Sequence, residues 1–125
     1  LEILSVLKII VALGLLNVWL FRYSKQTEYR GKDAQNLKEE FAAYGLPVQV
    51  MYLVGALKVI GAFILLLGGL LNKQDYQTIA AGIISVLMIG AIVMHVKVKD
   101  PIKKSIPASL MLIMSLTITI MTSNL

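Results

Sequence analysis

Cysteine is absent from the 125 residues, histidine occurs once, and charged residues make up only 15%. Without a thiol the chain makes no disulfide and no thiolate metal site, and its own side chains carry no thiol redox chemistry. One imidazole with scattered carboxylates argues against a self-contained zinc or di-iron centre, so neither metal nor cofactor is expected. A charged fraction well under the roughly 25% of soluble domains leaves too little polar surface to cover a folded chain of this size. What the chain has in its place is a hydrophobic fraction of 58%. These figures favour an integral membrane protein forming a single transmembrane domain over residues 1–125.

Four runs, about residues 1–22, 48–71, 78–96 and 106–122, approach the roughly 20 apolar residues that a helix needs to cross the hydrocarbon. The first, from Leu1 to Phe21, is broken only by Glu2, Ser5, Lys8 and Asn17, and Arg22 closes it. It is too long for a signal peptide and is not followed by a small-residue cleavage site. "NKQDYQ" reads as a short polar turn between spans two and three, and "KVKDPIKKSIP" as a basic connector between spans three and four. Backbone groups inside a bilayer must bond within their own segment, which makes each span helical. The predicted fold is all-α: an integral membrane four-helix bundle with a short amphipathic interfacial helix between spans one and two.

That short helix is read from "RGKDAQNLKEEFAAYGLP". Asn36 followed by Glu39 fits a capping pattern, with Asp33 as a rival start. Leu37, Phe41 and Tyr44 then recur at helical spacing, Gly45 is placed to stop the helix and Pro47 prevents its continuation. Their apolar edge is expected to face lipid or the mouth of the bundle.

Arg22, Lys25, Arg30, Lys32 and Lys38 lie in or beside the first connection and Lys97, Lys99, Lys103 and Lys104 in the third. The opposite side has Lys73, with Lys8 inside span one. The positive-inside rule puts loops 23–47 and 97–105 in the cytoplasm and both termini outside, with a bacterial inner membrane as the expected location. The net charge of +5 is thereby assigned to topology and lipid headgroups, and nucleic acid is not an expected partner.

Lys58 is the residue that asks for an explanation. It stands mid-way along "YLVGALKVIGAFILLLGGLL", about ten residues or roughly 15 Å from the basic end of its span, too deep for an easy escape to water. Gly55, Ala62 and Gly69 recur every seven residues as a small-residue packing stripe, and Lys58 lies beside it, which turns the ammonium inward. An interior ammonium needs acceptors. Asn17 and the carbonyls of span one, Ser85, His95 and the hydroxyls of span four are candidates, and Glu39 or Glu40 only if the short helix dips into the bundle. Lys58, with Lys8 and His95, then either lines a polar cavity for an anionic or carbonyl-bearing ligand or a proton, or serves as a packing device bonded to carbonyls. His95 has an interfacial reading beside its ligand reading, and Trp19 reads as an interface anchor.

At "VGALKVIGAFILLL", "HVKVKDPIKKSIPASL" and the first loop the chain resembles the DoxX-like superfamily of small four-span membrane proteins, which includes the animal receptor-assembly chaperone NACHO. Many relatives carry glutamate where this chain has Lys58. Four short spans, little extramembrane mass and the lack of a catalytic constellation lead to the expectation of a non-enzymatic accessory or assembly protein that contacts another integral membrane protein, with no catalytic residues. The alternatives are a small carrier or lipophile-binding protein using a Lys58 cavity, for which a homo-oligomer is possible, and, as the resemblance implies, a subunit of a quinone-linked oxidoreductase. By the resemblance Lys58 and the His95, Asp100, Pro101 segment are the marked positions. Asp100 and Pro101 also have a purely conformational reading, since proline turns the chain at the residue before it.

Overall fold

In the hydrophobic runs the backbone satisfies its hydrogen bonds within its own segment, and helix fills them. The computed structural model describes residues 3–22, 24, 29–71 and 74–123, and for residues 33 and 69–71 the backbone alone. Helices α1 (Ile3–Leu16), α2 (Leu37–Ala43), α3 (Val48–Leu71), α4 (Gln74–Lys97) and α5 (Ile106–Thr122) follow in order, with short 3₁₀ turns at Gly31–Asp33 and Ile102–Ser105. Four stretches, Ile3–Phe21, Val48–Gly68, Gln74–Lys97 and Ile102–Thr122, are long and apolar enough to cross a membrane. The architecture is the expected all-helical four-helix membrane bundle. Glu2, Lys25 and Lys73 lie outside the described residues, as does the packing of Gly69.

α1 packs on α3 and α5, and α4 packs on the same two helices, so the order around the bundle is α1, α3, α4, α5. Val11, Leu15, Ala62, Leu65, Ile84, Met88 and Ile118 fill its centre. A smaller apolar cluster of Trp19, Leu37, Phe41 and Met51 joins α2 to the basic end. Its position settles which way the short helix faces: Leu37, Phe41 and Tyr44 are buried against the bundle mouth.

Two boundaries differ from the sequence reading. The third span starts at Gln74, within the stretch read as a polar turn. Asp75 sits in the first turn of α4, where a carboxylate complements the helix dipole. Gln77 is buried against Gly68, and Gln74 donates from Nε2 to the Thr122 carbonyl at 2.9 Å. The polar residues there are tertiary contacts within a helix. The first span changes winding near its end: Asn17–Phe21 is a π-helical turn, a wider ring that shifts the side chains following it.

The small-residue contacts extend beyond the expected stripe. Gly55 lies under the Trp19 indole, where an added Cβ would stand 2.6 Å from the ring. Gly61 meets Ile84 and Gly68 meets Gln77, so a second glycine pair seven residues apart carries the close approach of α3 to α4. Ala62 is buried in the central core.

Candidate functional site

Both cappings read from sequence at α2 are present, and they aim its buried edge. Asn36 Oδ1 accepts the Glu39 amide at 2.8 Å, and Asn36 Nδ2 donates to the Glu39 carboxylate at 2.9 Å. At the other end Gly45 takes φ +78°, Leu46 N–H reaches the Phe41 carbonyl and Gly45 N–H that of Ala42, the two bonds of a Schellman stop. Between these ends Glu40 lies on the same face as Phe41 and Tyr44 and is buried with them.

Glu40 is fully engaged. Arg30 donates to its Oε1 at 3.3 Å, and the Gly31 amide and the Tyr44 hydroxyl donate to its Oε2 at 2.8 and 2.7 Å. Gly31 has no side chain because the Tyr44 ring occupies the space where a Cβ would point, 2.6 Å away. Burial first, and then the neighbouring Glu40 carboxylate, hold the Tyr44 phenol well above its usual pKa, so it remains a donor.

α4 ends on the same kind of stop. Asp100 N–H reaches the His95 carbonyl and Lys99 N–H that of Val96, with Lys99 in the left-handed region at φ +61°. This folds the chain back, and His95 Nδ1 bonds Asp100 Oδ2 at 2.8 Å. Asp100 Oδ1 accepts the Lys32 amide at 3.0 Å. Burial alone would raise the Asp100 carboxyl, but the bonds from His95 and Lys32 outweigh it and leave the group below the usual carboxylate value. With Asp100 ionised, the His95 Nδ1 is the donor. Lys97 Nζ caps the Tyr44 carbonyl at 2.9 Å and Lys104 Nζ the Arg30 carbonyl at 2.7 Å, tying the two basic connections together.

Lys58 stands beneath this network. Its Nζ lies 5.4 Å from the centre of the Trp19 ring, a cation–π contact. The π-helical turn and Gly55 together place that ring, which is buried against Phe41 at 5.9 Å. Trp19 is thus an interior residue, not the interface anchor expected from its place in the sequence. Every buried side-chain nitrogen or oxygen among the described residues has a hydrogen-bond partner. Lys58 Nζ has no acceptor among them, and it opens into space between the helices.

That space is two cavities. The larger, about 380 Å³, is bounded by α2, α3, α4 and the π-helical turn, with Phe41, Leu46, Val54, Leu87 and Met94 in its walls. The smaller, about 180 Å³, lies between α1 and α5. Trp19, Glu40, Lys58 and His95 line both. The structure therefore brings together Lys58 and His95, and Asp100 joins them through His95. Pro101 stands at the start of the 3₁₀ turn after Asp100, and Lys8, Asn17 and Pro101 line neither cavity. Ser85 donates to Ser115 at 2.9 Å and lines neither of the cavities that Lys58 faces. Glu40 and Arg30 are the partners that sequence reasoning underweighted. Their signal was faint: one acidic residue in register with an apolar edge.

Comparison with curated proteins and with solved structures gives no match. Residues 30–117 match the DoxX-like family, a stretch that holds Arg30, Glu40, Tyr44, Lys58, His95, Asp100 and Lys104 and so covers the charged part of the site. On that match, which spans well over half of its length, the chain belongs to the DoxX-like family of small membrane proteins.

Proposed function

We propose that this protein binds, inside the bundle, an amphipathic ligand whose anionic or carbonyl group pairs with Lys58 and whose apolar part fills the larger cavity. One observation carries the reading: the ammonium of Lys58 faces the cavities with no hydrogen-bond acceptor among the described residues, in contrast to two neighbouring groups that are paired. Arg30 pairs with Glu40 and His95 with Asp100. An incoming anion or carbonyl would supply the missing acceptor in surroundings of low polarity, where such a bond is strong. The protein acts by binding, with no chemical step of its own.

The positive-inside rule would place the mouth of the site in the cytoplasm. Two settings fit: an accessory or assembly subunit that presents the ligand to another integral membrane protein, and an independent carrier. A quinone is one carbonyl-bearing candidate, as the resemblance to subunits of quinone-linked oxidoreductases suggests.

Trp19 is the sole tryptophan and touches Lys58, so its emission reports on the site. Titration of the purified protein with a long-chain carboxylate and with a short-tailed quinone, against a long-chain alkane as control, should change Trp19 emission for at least one polar probe. Lys58→Met should weaken that binding about tenfold or more, the worth of a charge-assisted bond, with the fold intact. Equal affinity in the variant removes Lys58 from the role. Affinity purification in mild detergent separates the two settings: recovery of a specific membrane partner supports the accessory protein, and repeated recovery of the protein alone supports the carrier.

A further inference from the structure

The hydrogen bond between His95 Nδ1 and Asp100 leaves the other ring nitrogen, Nε2, without a partner among the described residues. Every enclosed side-chain nitrogen or oxygen among them is bonded, so Nε2 is open to the space around it, and the ring lines both cavities. With the Nδ1 proton directed at an ionised Asp100, Nε2 of the neutral ring is an acceptor. The cavities therefore present two groups of opposite character, a donor on Lys58 and an acceptor on His95. Glu40 lines them too, but its oxygens already receive Arg30, Gly31 and Tyr44. Binding at Lys58 alone leaves the His95 acceptor unused.

The tautomer is set from two sides. Asp100 Oδ1 accepts the Lys32 amide and Oδ2 faces His95, so both oxygens act as acceptors. An asparagine in this place would keep Oδ1 for the Lys32 amide and turn its NH2 towards the ring. His95 Nδ1 would then have to accept, and the ring proton would move to Nε2. A change at Asp100 thus inverts what the cavities see without touching them.

Helix register gives the spacing of the pair. Gly61 faces Ile84 and Gly68 faces Gln77. The same antiparallel register, continued to the basic end, sets His95 level with Val50, eight residues from Lys58 and roughly 12 Å of rise away. A helical side chain points back towards the N-terminus of its helix, which for α3 is the basic end, so the lysine chain takes up about half of that distance. What is left suits two hydrogen bonds of about 3 Å to ligand groups a few bonds apart.

We propose that the ligand carries a hydroxyl a few bonds from its anionic or carbonyl group: the carboxylate or carbonyl oxygen accepts from Lys58, the hydroxyl donates to His95 Nε2, and Asp100 is the positioning residue that selects the tautomer. Resting on the binding site proposed above, this makes the ligand a hydroxylated long-chain acid or ketone. An ether in place of the hydroxyl would set one acceptor against another.

Three probes that differ at one carbon test the pairing: tetradecanoate, 3-hydroxytetradecanoate and 3-methoxytetradecanoate, titrated at pH 8 against Trp19 emission in the purified full chain. The wild-type protein should bind the hydroxy acid about three- to tenfold more tightly than tetradecanoate, the worth of one hydrogen bond, and the methoxy acid no more tightly than tetradecanoate. Asp100→Asn, kept below its melting point, should bind the hydroxy and methoxy acids about equally, because both accept from Nε2–H. The two residues have the same shape, so a gain for the methoxy acid there is not a gain of space, and mere loosening of the fold would weaken all three probes alike. His95→Phe should erase the hydroxyl preference. Equal wild-type affinity for tetradecanoate and its hydroxy derivative, a hydroxyl preference that survives in folded His95→Phe, or an unchanged hydroxy-to-methoxy ratio in folded Asp100→Asn would each overturn the pairing while a Lys58-dependent site stands. Binding of none of the three acids also overturns it, and the short-tailed quinone then tells whether the site itself stands. Should neither variant fold, the wild-type probe ratio decides.

Discussion

From the middle of the bundle to the end away from the basic connections, Gly61 and Gly68 let α3 and α4 touch, with Gln77 packed on Gly68 and hydroxyls bonding one another. Ser85 bonds Ser115 at 2.9 Å, Thr78 bonds Thr122 at 2.6 Å and Gln74 caps the Thr122 carbonyl. At the basic end α2 and long charged side chains cover the bundle, and two cavities lie beneath them. The difference shows two ways of satisfying polar groups in a dry interior. Short hydroxyls bond their neighbours across a close contact and leave no room. Long side chains paired across loops need space, and the space they keep is where a ligand can enter.

Breaking the long-range pairs should therefore cost more than disturbing the close contact. Glu40→Ala takes the buried carboxylate away from Arg30, Gly31 and Tyr44, and removing one partner of a buried pair costs about 3–5 kcal/mol. Thermal melting in detergent should show the largest loss of any single change here, with faster proteolysis of residues 29–47. Gly68→Leu is the matching insult at the opposite end. The new side chain would overlap Gln77, and overpacking of this kind costs about 1–3 kcal/mol. Ligand binding at Trp19 should persist in that variant when it is measured below its melting point. If Gly68→Leu destabilises the protein more than Glu40→Ala, the ranking of the two ends is reversed.

Asp100 sharpens the comparison through pH. Its folded pKa lies below its unfolded value of about 3.9, so its contribution is fully present above that value and is lost as pH falls through the folded pKa. Melting temperature should drop on acidification below about pH 4. Asp100→Asn should lower stability by about 1–3 kcal/mol at neutral pH and flatten the acid limb. An unchanged acid limb in this variant would assign the effect to another carboxylate. The smallest change has the opposite sign. Lys99 holds a left-handed conformation that favours glycine, so Lys99→Gly should stabilise by up to about 1 kcal/mol, read in the same melting experiment.

Gly45 and Lys99 occupy the same position in the same kind of helix stop, yet only Gly45 was legible, because glycine announces the left-handed region and lysine does not. The cap at Asn36 and the stripe Leu37, Phe41, Tyr44 were legible for the same local reason. Trp19 was misread because its fate depends on a π-helical turn and on the glycine facing it, Gly55, 36 residues away along the chain. Lys58 was placed correctly beside a small-residue face. What it faces was out of reach of sequence, since Glu40 and His95 come from two other helices.

The amino-acid order by itself determined the four crossing helices, the short helix with its stops, and the concentration of cationic residues in two connections. These follow from interactions within a few residues, or from the transfer of whole segments out of water, and neither needs a partner elsewhere in the chain. Tertiary structure alone decided that Arg30 meets Glu40, that His95 turns to Asp100 and that Lys58 is left facing open space. Charge pairing in a low-polarity interior depends on approach to a few ångströms, and that distance is set by packing between elements far apart in sequence.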